Sequence, residues 1–272
     1  MRADLVPDDL WERMAPLLPP APERRHRHAG RLRVPDRAAF AGVMYVLRTG
    51  VAWRDVPAEA VGCSGVTAWR RLGEWTETGG WPRLHAALLT ELRRADLLGL
   101  DDCAVDGSHV RALKRGDHFG LSPVDRARPG SKHHLIVDRH GTPLIVTLTG
   151  GNRHDVTLLL PLLGAIPAIR GLRGRPRHKP RRLYADRGYD FDKYRRLLWK
   201  RGIKPMIARR GVAHGSGLGK VRWVVERAFA YERCADLHQG LLELACSLIC
   251  LRRLRTYSER SVKGDTPESV AG

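Results

Sequence analysis

No apolar run in this chain is long enough to cross a bilayer, which takes about 20 residues; the longest, Leu241 to Leu251, stops well short and carries Glu243. The N-terminal stretch holds Asp4, Asp8 and Asp9 and has no apolar segment followed by small residues, so it does not read as a signal peptide. A cytoplasmic, nucleoid-associated protein without a membrane partner is expected. The five cysteines, Cys63, Cys103, Cys234, Cys246 and Cys250, are odd in number and form no C-x-x-C pair. That pattern argues against a disulfide framework and a zinc site alike, and it predicts reduced core thiols. None of the 12 histidines falls in an H-E-x-x-H or a Cys/His set. His133 and His134 alternate faces of one strand and cannot share a metal, which leaves phosphate contact or packing for them. Ser108 lacks a surrounding G-x-S-x-G elbow. The glycine-rich segment Gly215 to Lys220 has His214 and Val221 where a phosphate loop needs glycine and Ser or Thr. Serine-hydrolase, zinc-enzyme and ATPase chemistries therefore fall away.

Acidic residues are also in short supply. Asp plus Glu number 29 against 48 Lys plus Arg, a net charge of +19 carried mostly by arginine along the whole chain. Guanidinium pairs two-pronged with phosphate, and each neutralised phosphate releases counterions, so nucleic acid is the expected partner. A membrane-surface protein would gather such charge on one amphipathic helix.

With 272 residues and 43% hydrophobic content, the chain can bury a real core. Residues 1–98 read as helical. Pro7-Asp8 opens a helix with Leu10, Trp11, Met14, Leu17 and Leu18 at helical spacing, and Pro19-Pro20 stops it. Asp36 starts a second, ended by Gly50; Ser64 caps a third, with Val66, Trp69 and Leu72 facing inward and Arg70 and Arg71 outward, the look of a recognition helix; Pro82 starts a fourth. From residue 101 the period changes. Strands are predicted at Cys103 to Leu113, Lys132 to Asp138 and Pro143 to Thr149, then a helix from Asp155 to Ile166. A strand at Arg182 to Ala185, a helix at Asp192 to Arg201, a strand at Ile203 to Ala208 and a helix from about Lys220 follow, with a further apolar helix at Leu237 to Leu254. The order β-β-β-α-β-α-β-α matches an α/β, ribonuclease H-like mixed sheet with flanking helices. The expected division is an all-helical, helix-turn-helix-like DNA-binding domain at 1–98, a catalytic domain at 99–256 and a polar tail at 257–272.

Two aspartates have near-twin settings, each ending a short apolar run before a glycine: Val105-Asp106-Gly107 and Ala185-Asp186-Arg187-Gly188. A strand fixes such an aspartate, and the glycine admits close approach of a nucleic-acid backbone. Glu226 follows on a predicted helix, with Arg222 and Arg233 on its stripe. Brought together, three carboxylates offer hard oxygen ligands for Mg²⁺ or Mn²⁺. Two such ions can activate a nucleophile and stabilise a leaving oxygen at a phosphodiester. Asp101, Asp102, Asp138, Asp155, Asp190 and Asp192 read instead as turn or cap residues.

The segments around these residues carry a resemblance. Ala104 to Ala112, Arg128 to His134, Thr149 to Asp155, Tyr184 to Tyr189 and Arg222 to Arg227 resemble bacterial insertion-sequence transposases, group five within the wider group four/five superfamily. The resemblance implies a DDE transposase: Asp106, Asp186 and Glu226 binding divalent metal, terminal inverted repeats in double-stranded DNA as substrate, cut-and-join chemistry, and a homodimer when two ends are synapsed. Arg70, Arg71, Lys132, Arg187, Arg222 and Arg233 are the candidate DNA contacts. In the tyrosine, arginine, glutamate, lysine signature of the wider family, Arg222 and Glu226 match the middle, Gly219 stands at the tyrosine position and Arg233 at the lysine position. About three helical turns that relatives carry after Phe229-Ala230 are missing, which implies reduced transposition. A ribonuclease H-like nuclease and a remnant that only binds DNA stand as the alternatives.

Overall fold

The computed structural model describes residues 5–23, 32–111, 120–121, 129–211 and 235–262. Helix α1 (Asp8–Met14) buries Leu10 and Met14 and tightens into a 3-10 turn, Ala15–Leu17, before the proline pair. Helix α2 (Asp36–Thr49) ends on Gly50 in the left-handed conformation (φ 70°), as the sequence predicts. A short helix α3 (Ala58–Val61) precedes α4 (Gly65–Glu77), whose N-cap Ser64 accepts the Thr67 N–H at 3.3 Å. Helix α5 (Gly80–Arg94) starts earlier than Pro82 suggests. The first four helical N–H groups have no intrahelical partner, so a proline there removes nothing.

The second half follows the predicted order. Strands β1 (Asp102–Arg111), β2 (Gly120–Leu121), β3 (Pro129–Asp138) and β4 (Pro143–Gly150) precede helix α6 (Asp155–Gly164). Then come β5 (Arg182–Ala185), a 3-10 turn (Arg187–Tyr189), α7 (Asp192–Lys200), β6 (Lys204–Ile207) and α8 (Ala235–Val262). The helix expected from Lys220 lies outside the described residues. Asp138 is the turn residue it was read as: Oδ1 accepts the N–H groups of His140 and Thr142 at 2.9 and 2.8 Å, and Oδ2 accepts that of Gly99 at 2.9 Å.

β3 pairs antiparallel with β1, β4 and β2, while β5 joins β1 and β6 joins β5 in parallel. Across the sheet the order is β4, β3, β1, β5, β6, with β2 beside the start of β3. This is the mixed α/β arrangement expected of a ribonuclease H-like fold, with β1 at its centre. Successive residues of a strand point to opposite faces. His133 meets His238 of α8, and His134 faces Asp155 at the start of α6, so the two helices cover opposite faces of β3.

The long helix α8 binds the two halves of the chain together. Its Leu237, Leu241, Leu242, Leu244, Cys250 and Leu251 are buried, and the helix packs on α4, α5 and β4. Each fully buried leucine is worth about 1.5–3 kcal/mol relative to exposure. In the helical half, Phe40, Trp75 and Trp81 form an aromatic cluster, with Trp75 and Trp81 edge-on at 5.9 Å. The buried His85 ring on α5 reaches the Pro143 carbonyl at 2.9 Å, and Arg255 of α8 pairs with Asp9 of α1. One buried apolar cluster runs from Leu5 to Leu251. Cys63, Cys103, Cys246 and Cys250 are buried free thiols, as expected, and burial pushes Cys103 and Cys246 up to about 12. Cys234 lies outside the described residues.

Candidate active site

The parallel pairing of β1 and β5 sets Asp102 opposite Arg182, Cys103 opposite Leu183 and Ala104 opposite Tyr184. Asp106 lies two residues further along β1 from that last pair, and Asp186 two residues further along the other chain segment, just past the end of β5. Neighbouring strands lie about 4.8 Å apart. Paired residues share a face, and the alternation is visible in burial. Cys103, Val105, Leu183 and Ala185 are buried on one side, while Asp106 is half-buried and Asp186 exposed on the other. Each carboxylate is oriented by a following glycine: Asp106 Oδ1 accepts the Gly107 N–H at 2.8 Å and Asp186 Oδ1 the Gly188 N–H at 2.9 Å. The two settings differ in one respect: Asp106 is within β1, whereas Asp186 caps the 3-10 turn that follows β5.

Gly107 has a different purpose from the one the sequence suggests. A Cβ at this position would stand 3.2 Å from Asp155 Oδ1 and 3.5 Å from His134 Nδ1. The close approach is made by the protein's own Asp155, on the first turn of α6. Asp155 is therefore more than a turn residue. Its Oδ1 accepts a 3.0 Å hydrogen bond from Lys132 Nζ, which also donates to the Arg153 carbonyl at 3.0 Å. The Lys132 side chain is only 10% exposed. Its expected DNA contact gives way to an internal ion pair, because a buried ammonium must find partners for its protons. His134 Nε2 lies 2.8 Å from Thr149 Oγ1, and His133 Nε2 lies 3.2 Å from His238 Nε2. Both rings are packed, and burial pulls His133 down to about 3 and His134 down to about 4.

Tyr189 closes the arrangement. It ends the 3-10 turn after Asp186, is 2% exposed, and its buried hydroxyl has no hydrogen-bond partner among the described residues. Burial, then the negative charge of Asp155, Asp106 and Asp186, raises its pKa. Sequence reasoning singled out neither Asp155 nor Tyr189 as site residues. The signal was present, because both lie in segments that carry the family resemblance.

The arginines divide. Arg70 and Arg187 are exposed. Arg71 is 6% exposed, donates to Glu74 at 2.7 Å and lies 3.6 Å from Asp36, so the expectation that it points outward is corrected. On α4 it is Val66 and Trp69 that face outward, at 55% and 41% exposure, where the sequence had turned them inward. Leu72 faces the core as expected, and Ala68 and Trp75 join it there in place of Val66 and Trp69. Arg222, Glu226 and Arg233 lie outside the described residues.

The two aspartates bring hard oxygen donors, the type Mg²⁺ and Mn²⁺ take. Among the described residues no group of three or more His, Cys, Asp and Glu stands close enough to hold an ion. Asp106 and Asp186 fit as part of a donor set whose expected third member is Glu226. No helix among the described residues is long and apolar enough to cross a membrane.

Comparison with known proteins follows the same two halves. A profile described as a transposase DDE domain matches residues 98–234, about half the chain. One described as the transposase of the IS4/5 family matches residues 6–85. A Burkholderia cepacia protein described as the transposase for insertion sequence element IS402 is 57% identical over 147 residues, covering 50% of this chain and 70% of that protein. An uncharacterized 16.2 kDa protein of the same element is 48% identical over 124 residues, covering 45% of this chain and 84% of that protein. Among solved structures, a piggyBac transposase synaptic complex with hairpin DNA aligns at a TM-score of 0.38 and 14% identity over 79% of this chain. The chain spans about half, 51%, of that protein's length.

Proposed function

Because this chain belongs to the DDE-domain transposases, with an N-terminal region of the IS4/5 family, we propose that it binds the terminal inverted repeats of an insertion sequence and catalyses metal-dependent DNA cleavage and strand transfer. The observation that carries this reading is that Asp106 stands on β1 and Asp186 directly follows β5, the strand hydrogen-bonded in parallel beside it. Asp106, Asp186 and Glu226 are the proposed catalytic and metal-binding residues.

DDE transposase domains use divalent metal ions, and two Mg²⁺ or Mn²⁺ ions supply activation of an attacking oxygen and stabilisation of a leaving one. The chain's own part is geometric. β1 holds Asp106, the 3-10 turn after β5 holds Asp186, and the Gly107 and Gly188 N–H groups orient one oxygen of each. Because both carboxylates are held by hydrogen-bonded backbone, their part of the donor set is preorganised before DNA arrives.

DNA is held by charge. Exposed Arg187 follows Asp186 directly, and Arg209 and Arg210, exposed in the loop after β6, stand beside the same turn, with Arg210 Nε donating to the Arg187 carbonyl at 3.3 Å. At the helical end, Arg70, Val66 and Trp69 on the first half of α4 are the contact surface. Trp69 and Arg70 also line one side of a cleft of about 640 Å³ whose other side carries Glu74, Glu77 and Asp236, carboxylates that repel phosphate from that side. Two copies of the chain synapse the two ends.

The test is a strand-transfer assay on duplexes carrying the element's ends, with Mg²⁺ or Mn²⁺. Joined product is expected. Cleavage without joining would support a nuclease, and binding alone a DNA-binding remnant.

A further inference from the structure

The surroundings of the aspartate pair hold two groups that this mechanism leaves unused. Asp155 is fixed on one side by Lys132, at 3.0 Å, and on the other by Gly107, whose absent side chain leaves room for the carboxylate. Gly107 is the residue after Asp106, so Asp155 bears on the backbone that carries the first aspartate. Tyr189 comes from the other strand. It closes the turn after Asp186, and that turn packs against α6, the helix that Asp155 begins. Asp155 thus packs against β1 at Gly107, on the face it shares with His134, and Tyr189 packs the turn after β5 against the same helix.

The Tyr189 hydroxyl is the telling feature. It is buried without a partner among the described residues, and a buried unpaired hydroxyl destabilises the fold. Phenylalanine would fill the same space without that penalty. Nearby negative charge comes from Asp155, Asp106 and Asp186, all of which are acceptors. An O–H in such a place is suited to donate to a carboxylate oxygen, and Asp155, on the helix against which this turn packs, is the leading source of that charge.

We propose that Asp155 and Tyr189 are positioning residues for the Asp106 and Asp186 pair, Asp155 fixing the middle of β1 through Gly107 and Tyr189 fixing the turn after β5. Neither is a metal ligand, consistent with the lack of any three-residue metal cluster among the described residues. Groups that orient ligands from behind alter metal affinity or activity by about 10–100-fold when removed. The proposal rests on the transposase reading for its cleavage consequence and not for its metal consequence.

The experiment uses the full chain and Mn²⁺ alone, followed by electron paramagnetic resonance, with thermal unfolding and metal-free binding to a duplex end measured in parallel. Tyr189→Phe is expected to weaken Mn²⁺ binding about 10-fold or more while its unfolding midpoint stays level or rises. A merely structural tyrosine would not give that split. Asp155→Asn is expected to weaken Mn²⁺ binding similarly, with duplex binding unchanged. If Asp155→Asn fails to fold, Gly107→Ala replaces it. Its Cβ displaces the Asp155 carboxylate by a few tenths of an ångström and should give a smaller loss in the same direction. Mn²⁺ affinities equal to wild type in Tyr189→Phe and in either Asp155→Asn or Gly107→Ala would overturn the proposal. A chain that binds Mn²⁺ with these dependences yet never cleaves DNA would sink the transposase reading and leave the positioning intact.

Discussion

Arg70 and Arg71 differ by one position and by everything else. A step of one residue on a helix turns a side chain by about 100°, which takes Arg70 into solvent and Arg71 onto Glu74 and Asp36. Removing Arg71 leaves those carboxylates short of a partner at a half-buried site. Arg71→Ala is therefore expected to lower stability by about 1–3 kcal/mol, measured by denaturant unfolding. Arg70→Ala should leave stability unchanged and weaken duplex binding in a gel-shift titration. The reverse pattern would mean that α4 has been given the wrong outer face. At the catalytic strands, Asp106→Asn is expected to abolish cleavage with duplex binding intact; surviving cleavage would remove Asp106 from the active site. Lys132, which looked like a phosphate contact beside two histidines, belongs to the interior because Asp155 is there to pair with it. Nothing adjacent to Lys132 in sequence announces that partner.

Among the elements, β3 and α8 are joined by a contact between two buried histidines, His133 and His238, and α5 is joined to β4 by His85. Burial keeps all three rings neutral, with His85 and His238 pulled down to about 4 and His133 to about 3. Unfolded, each titrates near the ordinary histidine value, about 6.5. Between about 6.5 and about 4 the unfolded chain therefore binds more protons than the folded one, and stability falls as pH falls through that window. Thermal unfolding midpoints are expected to drop between pH 7 and pH 5, before most carboxylates titrate. A flat profile over that range would mean that these rings accept protons in place. The longer strands were legible in sequence, down to the bounds of β5, because their apolar residues alternate and glycine marks the hairpin; the two-residue β2 and the first three residues of β3, where the two strands pair, were not. Helix α8 was legible as an apolar run but not in its reach, since Ala235–Val262 extends well past the predicted Leu254. Its last turns are polar and are held as helix by pairs such as Arg255 with Asp9.

For the whole molecule, the +19 charge and the oxygen donors make opposite demands that the fold separates in space. Asp106 stands on β1 and Asp186 directly after β5, with exposed Arg187, Arg209 and Arg210 at the turn that follows. Duplex binding is expected to fall steeply with salt, the slope in log–log form giving about 0.9 per phosphate neutralised. Chelating the metal should stop cleavage and leave that binding, and its salt slope, in place. A binding curve that vanishes with the metal would instead make the ion part of DNA recognition.

By itself the sequence determined the element order, the family and the twin aspartates, because strand period, glycine placement and local motifs are written in neighbouring residues. Only the tertiary structure decided which charges are inside. Arg71, Lys132 and Asp155 are placed by partners far away in the chain or across a helix turn. The same holds for Tyr189, whose hydroxyl matters through three carboxylates, Asp106, Asp155 and Asp186, contributed by different elements. Charge and polarity report on a residue's chemistry, but its environment is set by what the fold packs against it.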